Sequence, residues 1–146
     1  PGQRLGFVTA DFAWQVARIE LGLQEPVIRV GNLDAQRDFT DVRDTVRGYI
    51  EALRTGKSLD VINVCSGHAW RVREFLDFFL SKSSVDIKVE IDPERFRPAD
   101  VPMLKGSSDY LRSLSGWKPQ REIETTLCEI LDYWRDQATH SDIKPE

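Results

Sequence analysis

The sequence predicts a mixed α/β chain, on three observations. Apolar residues recur at helical spacing in several separate stretches. Short, largely apolar runs at Val27–Val30 and Leu59–Cys65 lie between those stretches. Val85 to Ile91 alternates apolar and charged residues, the pattern of a strand with one buried face. At 146 residues and 40% hydrophobic content, the chain holds material for one ordinary core. A net charge of −4 and a pI near 5.3 argue against nucleic acid or an anionic membrane as a partner, since either favours a basic face. No apolar run reaches the roughly 20 residues needed to span a bilayer, and the N-terminus lacks a signal-peptide pattern. The expectation is a soluble, cytoplasmic protein. Cys65 and Cys128 suit buried, reduced thiols. His68 and His140 lie too far apart for metal-ligand spacing, so no metal site is expected.

Taken in order, the first helix is predicted from about Phe7 to Gly22, with Phe12, Val16, Ile19 and Leu23 on one face and Gly22 as terminator. Pro26 introduces the strand Val27–Val30. Gly31 to Tyr49 then carries a polar turn with Asn32 and Arg37, an extended Arg37-Asp38-Phe39-Thr40, and a helix. Thr40 or Asp41 can cap that helix, Asp41 and Asp44 place negative charge at its positive end, and Val42, Val46, Tyr49, Ile50 and Leu53 form a face expected to be buried. Leu59–Cys65, closed by Ser66-Gly67, suits a strand buried on both sides. Val72, Phe75, Leu76, Phe79 and Leu80 make a helical core face. A short helix over Ser107–Leu114 ends at Gly116. Ile123, Leu127, Ile130, Leu131 and Trp134 stripe the last helix, and residues 140–146 read as a frayed tail after a single unit spanning 1–139.

Two places carry candidate chemistry. Arg37 stands beside a rigid helix anchor, and its planar fork suits bidentate recognition of phosphate or carboxylate; an ordinary ion pair is the alternative. In Asp92–Pro102, the arginines Arg95 and Arg97 and Asp100 lie between prolines that stiffen the loop, and again either ligand or internal ion pairs would account for the charges.

The chain resembles a known family through ordered stretches: Pro1-Gly2-Gln3, Phe7-Val8-Thr9, Gly22-Leu23-Gln24, Gly31-Asn32-Leu33-Asp34-Ala35 with Arg37-Asp38-Phe39, Asn63-Val64-Cys65-Ser66-Gly67, Arg97-Pro98-Ala99-Asp100-Val101-Pro102, Gly116-Trp117-Lys118-Pro119 and Leu131-Asp132-Tyr133-Trp134-Arg135. These resemble the extended short-chain dehydrogenase/reductases that act on GDP-sugars, namely the GDP-4-keto-6-deoxy-D-mannose reductases and related GDP-mannose 4,6-dehydratases. The match covers the second half of that family. The resemblance implies the substrate-binding portion of the fold, with one strand and helix that would normally complete a Rossmann sheet. It also implies a GDP-sugar ligand held by Val8, Asn32, Arg37, Arg97 and Asp100, Val8 through backbone groups at the helix entry unless it is simply core. Trp14 and Asp11 depart from the family, standing where relatives carry Arg and Lys.

No catalytic or cofactor-binding residue is expected. The chain has no Gly-rich turn of the dinucleotide-binding kind, and none of Tyr49, Tyr110 or Tyr133 has Lys at the fourth following position. The resemblance therefore implies a carboxy-terminal fragment, inactive alone, of an NADPH- or NADH-dependent reductase making GDP-D-rhamnose. Phe39-Thr40-Asp41-Val42 is nearer the reductase form. The alternatives are a dehydratase fragment or a non-enzymatic remnant that binds a nucleotide or partner. Self-association, or a missing amino-terminal half, is expected to cover the apolar surface that the absent sheet would bury.

Overall fold

Helix α1 (Val8–Glu20) is the centre of the molecule, with Ala10, Phe12, Ala13, Trp14, Gln15, Val16, Ala17 and Ile19 all buried. A helix buried on nearly every side must be apolar nearly all round. Here small alanines on one side let neighbours close in, while Trp14 meets Trp134 edge-on at 5.3 Å. The computed structural model describes residues 2–55, 61–95 and 101–140. Around α1 lie β1 (Val27–Val30), α3 (Val72–Lys82) and α5 (Ile123–His140). Phe75, Leu76 and Phe79 of α3 and Leu127, Leu131 and Trp134 of α5 complete this core. Glu20 ties the bundle together at its far end, accepting from Arg135 at 2.8 Å while Arg135 also donates to the Lys82 carbonyl.

The remaining elements are β2 (Gln36–Asp38), α2 (Val42–Thr55), β3 (Ala69–Arg71), β4 (Lys88–Ile91), β5 (Met103–Leu104) and α4 (Asp109–Ser115). They form two small sheets. In one, β1 runs parallel to β4, Val27 opposite Lys88 and Val30 opposite Ile91. In the other, the order is β3-β2-β5, antiparallel on one side of β2 and parallel on the other. Gly22 and Gly116 take positive φ after α1 and α4, as terminators do.

Several expectations need correction. Of the strand predicted over Leu59–Cys65, residues 59 and 60 lie outside the described residues, and residues 61–65 pair with no strand among the described residues, with Val61 89% exposed. An apolar run specifies a buried strand only where neighbouring strands exist to accept its hydrogen bonds. The α2 face expected to be buried is also exposed, with Val42, Val46, Tyr49, Ile50 and Leu53 all facing outward. The opposite face is seated instead. Asp44 and Gly48 are the buried residues of α2, and a Cβ at Gly48 would come within 2.4 Å of a Val64 methyl and 3.2 Å of the Trp117 ring. Absence of a Cβ is what allows that approach.

Smaller differences are local. Residues 85–87 stay outside β4, Leu23 is exposed, and of the tail predicted over 140–146 His140 closes α5 with its ring nitrogen on the Asp136 carbonyl, while 141–146 lie outside the described residues. Cys65 and Cys128 are free and only half-buried. Burial, followed by the nearby Asp38 carboxylate, pushes the Cys65 thiol up. No helix among the described residues is long and apolar enough to cross a membrane.

Candidate cleft at the entry to the central helix

The N-terminus of α1 and the turn leaving β1 face each other across a cleft of about 430 Å³. Phe7, extended just before α1, has no side-chain oxygen with which to cap it, so the first amides of the helix depend on other acceptors. Val8 lies in that first turn and lines the cleft, half-buried. Across from it, Asn32 lines the turn after β1. Its Oδ1 accepts from the Asp34 amide at 2.9 Å, which fixes the loop. Arg37, on β2, forms the third wall.

Val8, Asn32 and Arg37, nominated from different parts of the sequence, therefore share one cleft. Arg97 and Asp100 lie outside the described residues.

Arg37 has no carboxylate partner among the described residues. Its Nη1 donates to the carbonyls of Gln36 at 2.7 Å, Val101 at 3.0 Å and Pro102 at 3.4 Å. The guanidinium thus braces β2 against the entry to β5, where the Gln36 amide also donates to the Pro102 carbonyl. Next to it Asp38 points the opposite way, as strand alternation requires. The Asp38 carboxylate accepts from the Ser66 amide and hydroxyl at 3.0 and 2.6 Å, from the Gly67 amide at 2.9 Å and from the Gly106 amide at 3.3 Å. This knot holds β2, and with it Arg37, in place.

Asp11 and Arg95 also line the cleft; the sequence marked Arg95 only as one of the two arginines of its loop and Asp11 only as a departure from the family. Arg95 Nη1 lies 2.8 Å from Asp11 Oδ2 and its Nε 3.6 Å from Asp92. The Arg95 backbone seats directly against Gly31, where a Cβ would fall 2.2 Å from the Arg95 carbonyl oxygen. Beyond the Asp11–Arg95 pair a second cleft of about 380 Å³ opens between Trp14, Arg18, Gln24 and Arg29. Arg18 lies over Trp14 at 5.4 Å and donates to the Leu23 carbonyl. Nothing in the sequence pairs Asp11 with Arg95, because 84 residues separate them.

A smaller cleft of about 210 Å³ adjoins Asp41, Asp44, His68 and Trp70. The Asp41 and Asp44 carboxylates are occupied. Asp41 accepts from the Arg43 amide and guanidinium and from Thr126, and the Arg43 contact holds its carboxyl far below the usual carboxylate range. Of the two possible caps for α2, Asp41 is the one that accepts from the first turn. Asp44 accepts from Arg47 and from the amides of Gln120 and Arg121. Burial raises Asp44, but those donors outweigh it and the group lies below its ordinary value. No cluster among the described residues has the makings of a metal site.

A family model described as GDP-mannose 4,6 dehydratase matches residues 1–130. The chain is 37% identical over 138 residues to the GDP-6-deoxy-D-mannose reductase of Pseudomonas aeruginosa, covering 94% of this chain and 45% of that protein. It is 35% identical over 135 residues to GDP-mannose 4,6 dehydratase 2 of Arabidopsis thaliana, covering 90% of this chain and 35% of the relative. Among solved structures, RMD from Pseudomonas aeruginosa complexed with NADPH superimposes with a TM-score of 0.87 at 36% identity, over 94% of this chain and 45% of that one. A UDP-glucose 4-epimerase from Bifidobacterium longum, at 21% identity and a TM-score of 0.66, shares the fold. The chain thus spans less than half the length of these relatives.

Proposed function

The chain belongs to the GDP-mannose 4,6-dehydratase family of extended short-chain dehydrogenase/reductases, and on that premise we propose that its larger cleft holds a GDP-sugar. We infer that it does so as the substrate-binding part of an NAD(P)-dependent GDP-4-keto-6-deoxy-D-mannose reductase whose product is GDP-D-rhamnose. The observation that carries this reading is the meeting of Val8, Asn32 and Arg37 on one cleft. Arg37 supplies a fixed cation for the diphosphate, Val8 lines the same space from the first turn of α1, and Asn32 shapes the loop beside it. Arg97 and Asp100 are proposed to add a second cation and an acceptor for ribose hydroxyls.

The described residues do not fit a dinucleotide: neither parallel strand of the β1–β4 sheet leads through a glycine turn into a helix, the arrangement such a cofactor uses. Hydride and proton transfer are therefore assigned to no residue here. We expect the isolated chain to bind neither NADPH nor NADH and to reduce no 4-keto sugar nucleotide; turnover by pure chain would refute that.

Calorimetric titration of the chain with GDP tests the central claim. Affinity should fall with added salt, because the ligand is a screened anion. Arg37→Lys should weaken it about tenfold, or about 1.4 kcal/mol, since an ammonium does not reproduce the fork. Unchanged affinity would leave Arg37 a purely structural brace. A dehydratase is the second reading, favoured by the description of the family model and by the Arabidopsis relative. Product analysis of an active assembly containing this chain separates the two, as reduced 6-deoxy sugar in one case and 4-keto sugar in the other.

The exposed stripe on α2 supports a further part of the reading. We propose that in the working protein this face is covered, either by another copy of the chain or by a region corresponding to the length of the relatives that this chain does not span.

A further inference from the structure

We propose that the Asp11–Arg95 ion pair is a displaceable latch in the cleft wall: the diphosphate of a bound nucleotide takes the Arg95 guanidinium from Asp11. Arg95 is then a further phosphate-binding residue, and Asp11 is its internal competitor. This rests on the reading of the cleft as a nucleotide-sugar site.

Arg95 and Asp11 line both the larger cleft and the one behind it, so their contact is the partition between two spaces. The pair is built to open. Arg95 is 44% exposed, and its contact with Asp11 is through a single nitrogen at 2.8 Å, a geometry whose net strength is small in water. A diphosphate oxygen pair offers the same guanidinium two charge-assisted bonds.

Neither backbone need move. The Arg95 carbonyl is seated against Gly31, and the loop is held by the Arg95 amide on the Asp92 carbonyl and the Glu94 amide on Asp92 Oδ1, at 3.0 and 2.9 Å. Nor does opening strand Asp11. The buried Gln15 donates to the same Oδ2 at 2.8 Å, and Gln15 is itself fixed by the backbone of Arg29 in both directions. A carboxylate that keeps a donor after losing its cation avoids the larger penalty of an unsatisfied group.

The surrounding charges favour an anion at this point. Arg37 faces the larger cleft, and Arg18 and Arg29 face the second. Arg29 is paired with Glu25, and Glu94 is the other carboxylate on the larger cleft's wall.

Opposite signs make the idea testable. The 146-residue chain is titrated calorimetrically with GDP and with inorganic pyrophosphate, as wild type, Asp11→Asn, Arg95→Gln and the double variant. Asp11→Asn should tighten binding about two- to fivefold. Arg95→Gln should weaken it about tenfold or more. In the Arg95→Gln background, Asp11→Asn should change nothing, because competition needs the guanidinium.

Weaker binding in Asp11→Asn would make the pair a structural strut, and tightening that survives in the double variant would make Asp11 a mere background field; either overturns the latch. If Arg95→Gln melts early, Arg95→Lys replaces it, with weaker binding expected and unchanged affinity overturning the assignment. Wild type that binds GDP while the cycle fails refutes the latch alone, whereas wild type that binds no GDP refutes the cleft reading as well.

Discussion

Asp38 gathers the most consequential bonds of any side chain near the cleft, taking donors from Ser66, Gly67 and Gly106 on two separate segments. Asp38→Ala should therefore destabilise the chain by about 2–3 kcal/mol, since several donors lose a charged acceptor together; urea unfolding at neutral pH reads this directly. Asp41 makes a second prediction, in pH. Arg43, Thr126 and the Arg43 amide hold its folded pKa below the unfolded value, and Arg135 does the same for Glu20. A depressed carboxylate stabilises fully above its unfolded pKa and loses that stability as pH falls through the folded one. Melting temperature should decline progressively below about pH 4. Asp41→Asn should be less stable than wild type at pH 7 by about 1–3 kcal/mol, with the gap closing toward pH 2. At this scale the sequence exposed residue types but not their pairings. Arg37 and Asn32 were legible through a resemblance across a continuous motif, and Asp41 through its place before a helix. Asp11 and Arg95 were not, because no local rule links positions so far apart.

Among the elements, the helices were nearly all legible. Their apolar spacing is dense, and terminators such as Gly22 and Gly116 have a mechanical reason to be where they are. Strand β1 was legible and β4 in part, but the shortest strands were not: β3 has three residues and β5 two, and each exists because β2 offers it a partner rather than through any propensity of its own. Helix α2 gives the sharper lesson. Periodicity identified its apolar stripe correctly, but a pattern states which residues seek burial, and the covering surface must come from elsewhere. What α2 buries within the chain is Asp44, Gly48 and the contacts of Trp117, whose indole donates to the Asp44 carbonyl at 3.3 Å. Gly48→Ala tests that seat. In an exposed helix the change would stabilise by about 1 kcal/mol. Here the new methyl meets Val64, whose β-branched side chain has little rotamer freedom, and the buried Trp117 ring. A net loss of about 1–3 kcal/mol is expected, and a more stable variant would show that the segment at 61–65 yields easily.

For the molecule as a whole, the uncovered stripe from Val42 to Leu53 is an apolar patch of the kind that marks an interface. Sedimentation at micromolar concentration should show association, and Leu53→Glu with Val46→Glu should abolish it while leaving the melting temperature little changed. A monomer with no binding of a hydrophobic dye would overturn the proposed cover.

The seat of α2 has one more consequence, a calorimetric one. Because much of that seat is carboxylate-to-amide bonding around a glycine, with Trp117 and Val64 as its apolar part, detaching α2 exposes far less apolar surface than unfolding the core around α1. Apolar hydration is the main source of the heat-capacity increase on unfolding. The pair α2 and α4 should therefore open as a separate low-stability unit with a small heat-capacity change, exchanging its amide hydrogens well before those of α1, α3 and α5. Its departure would register as a shallow pre-transition ahead of the main endotherm.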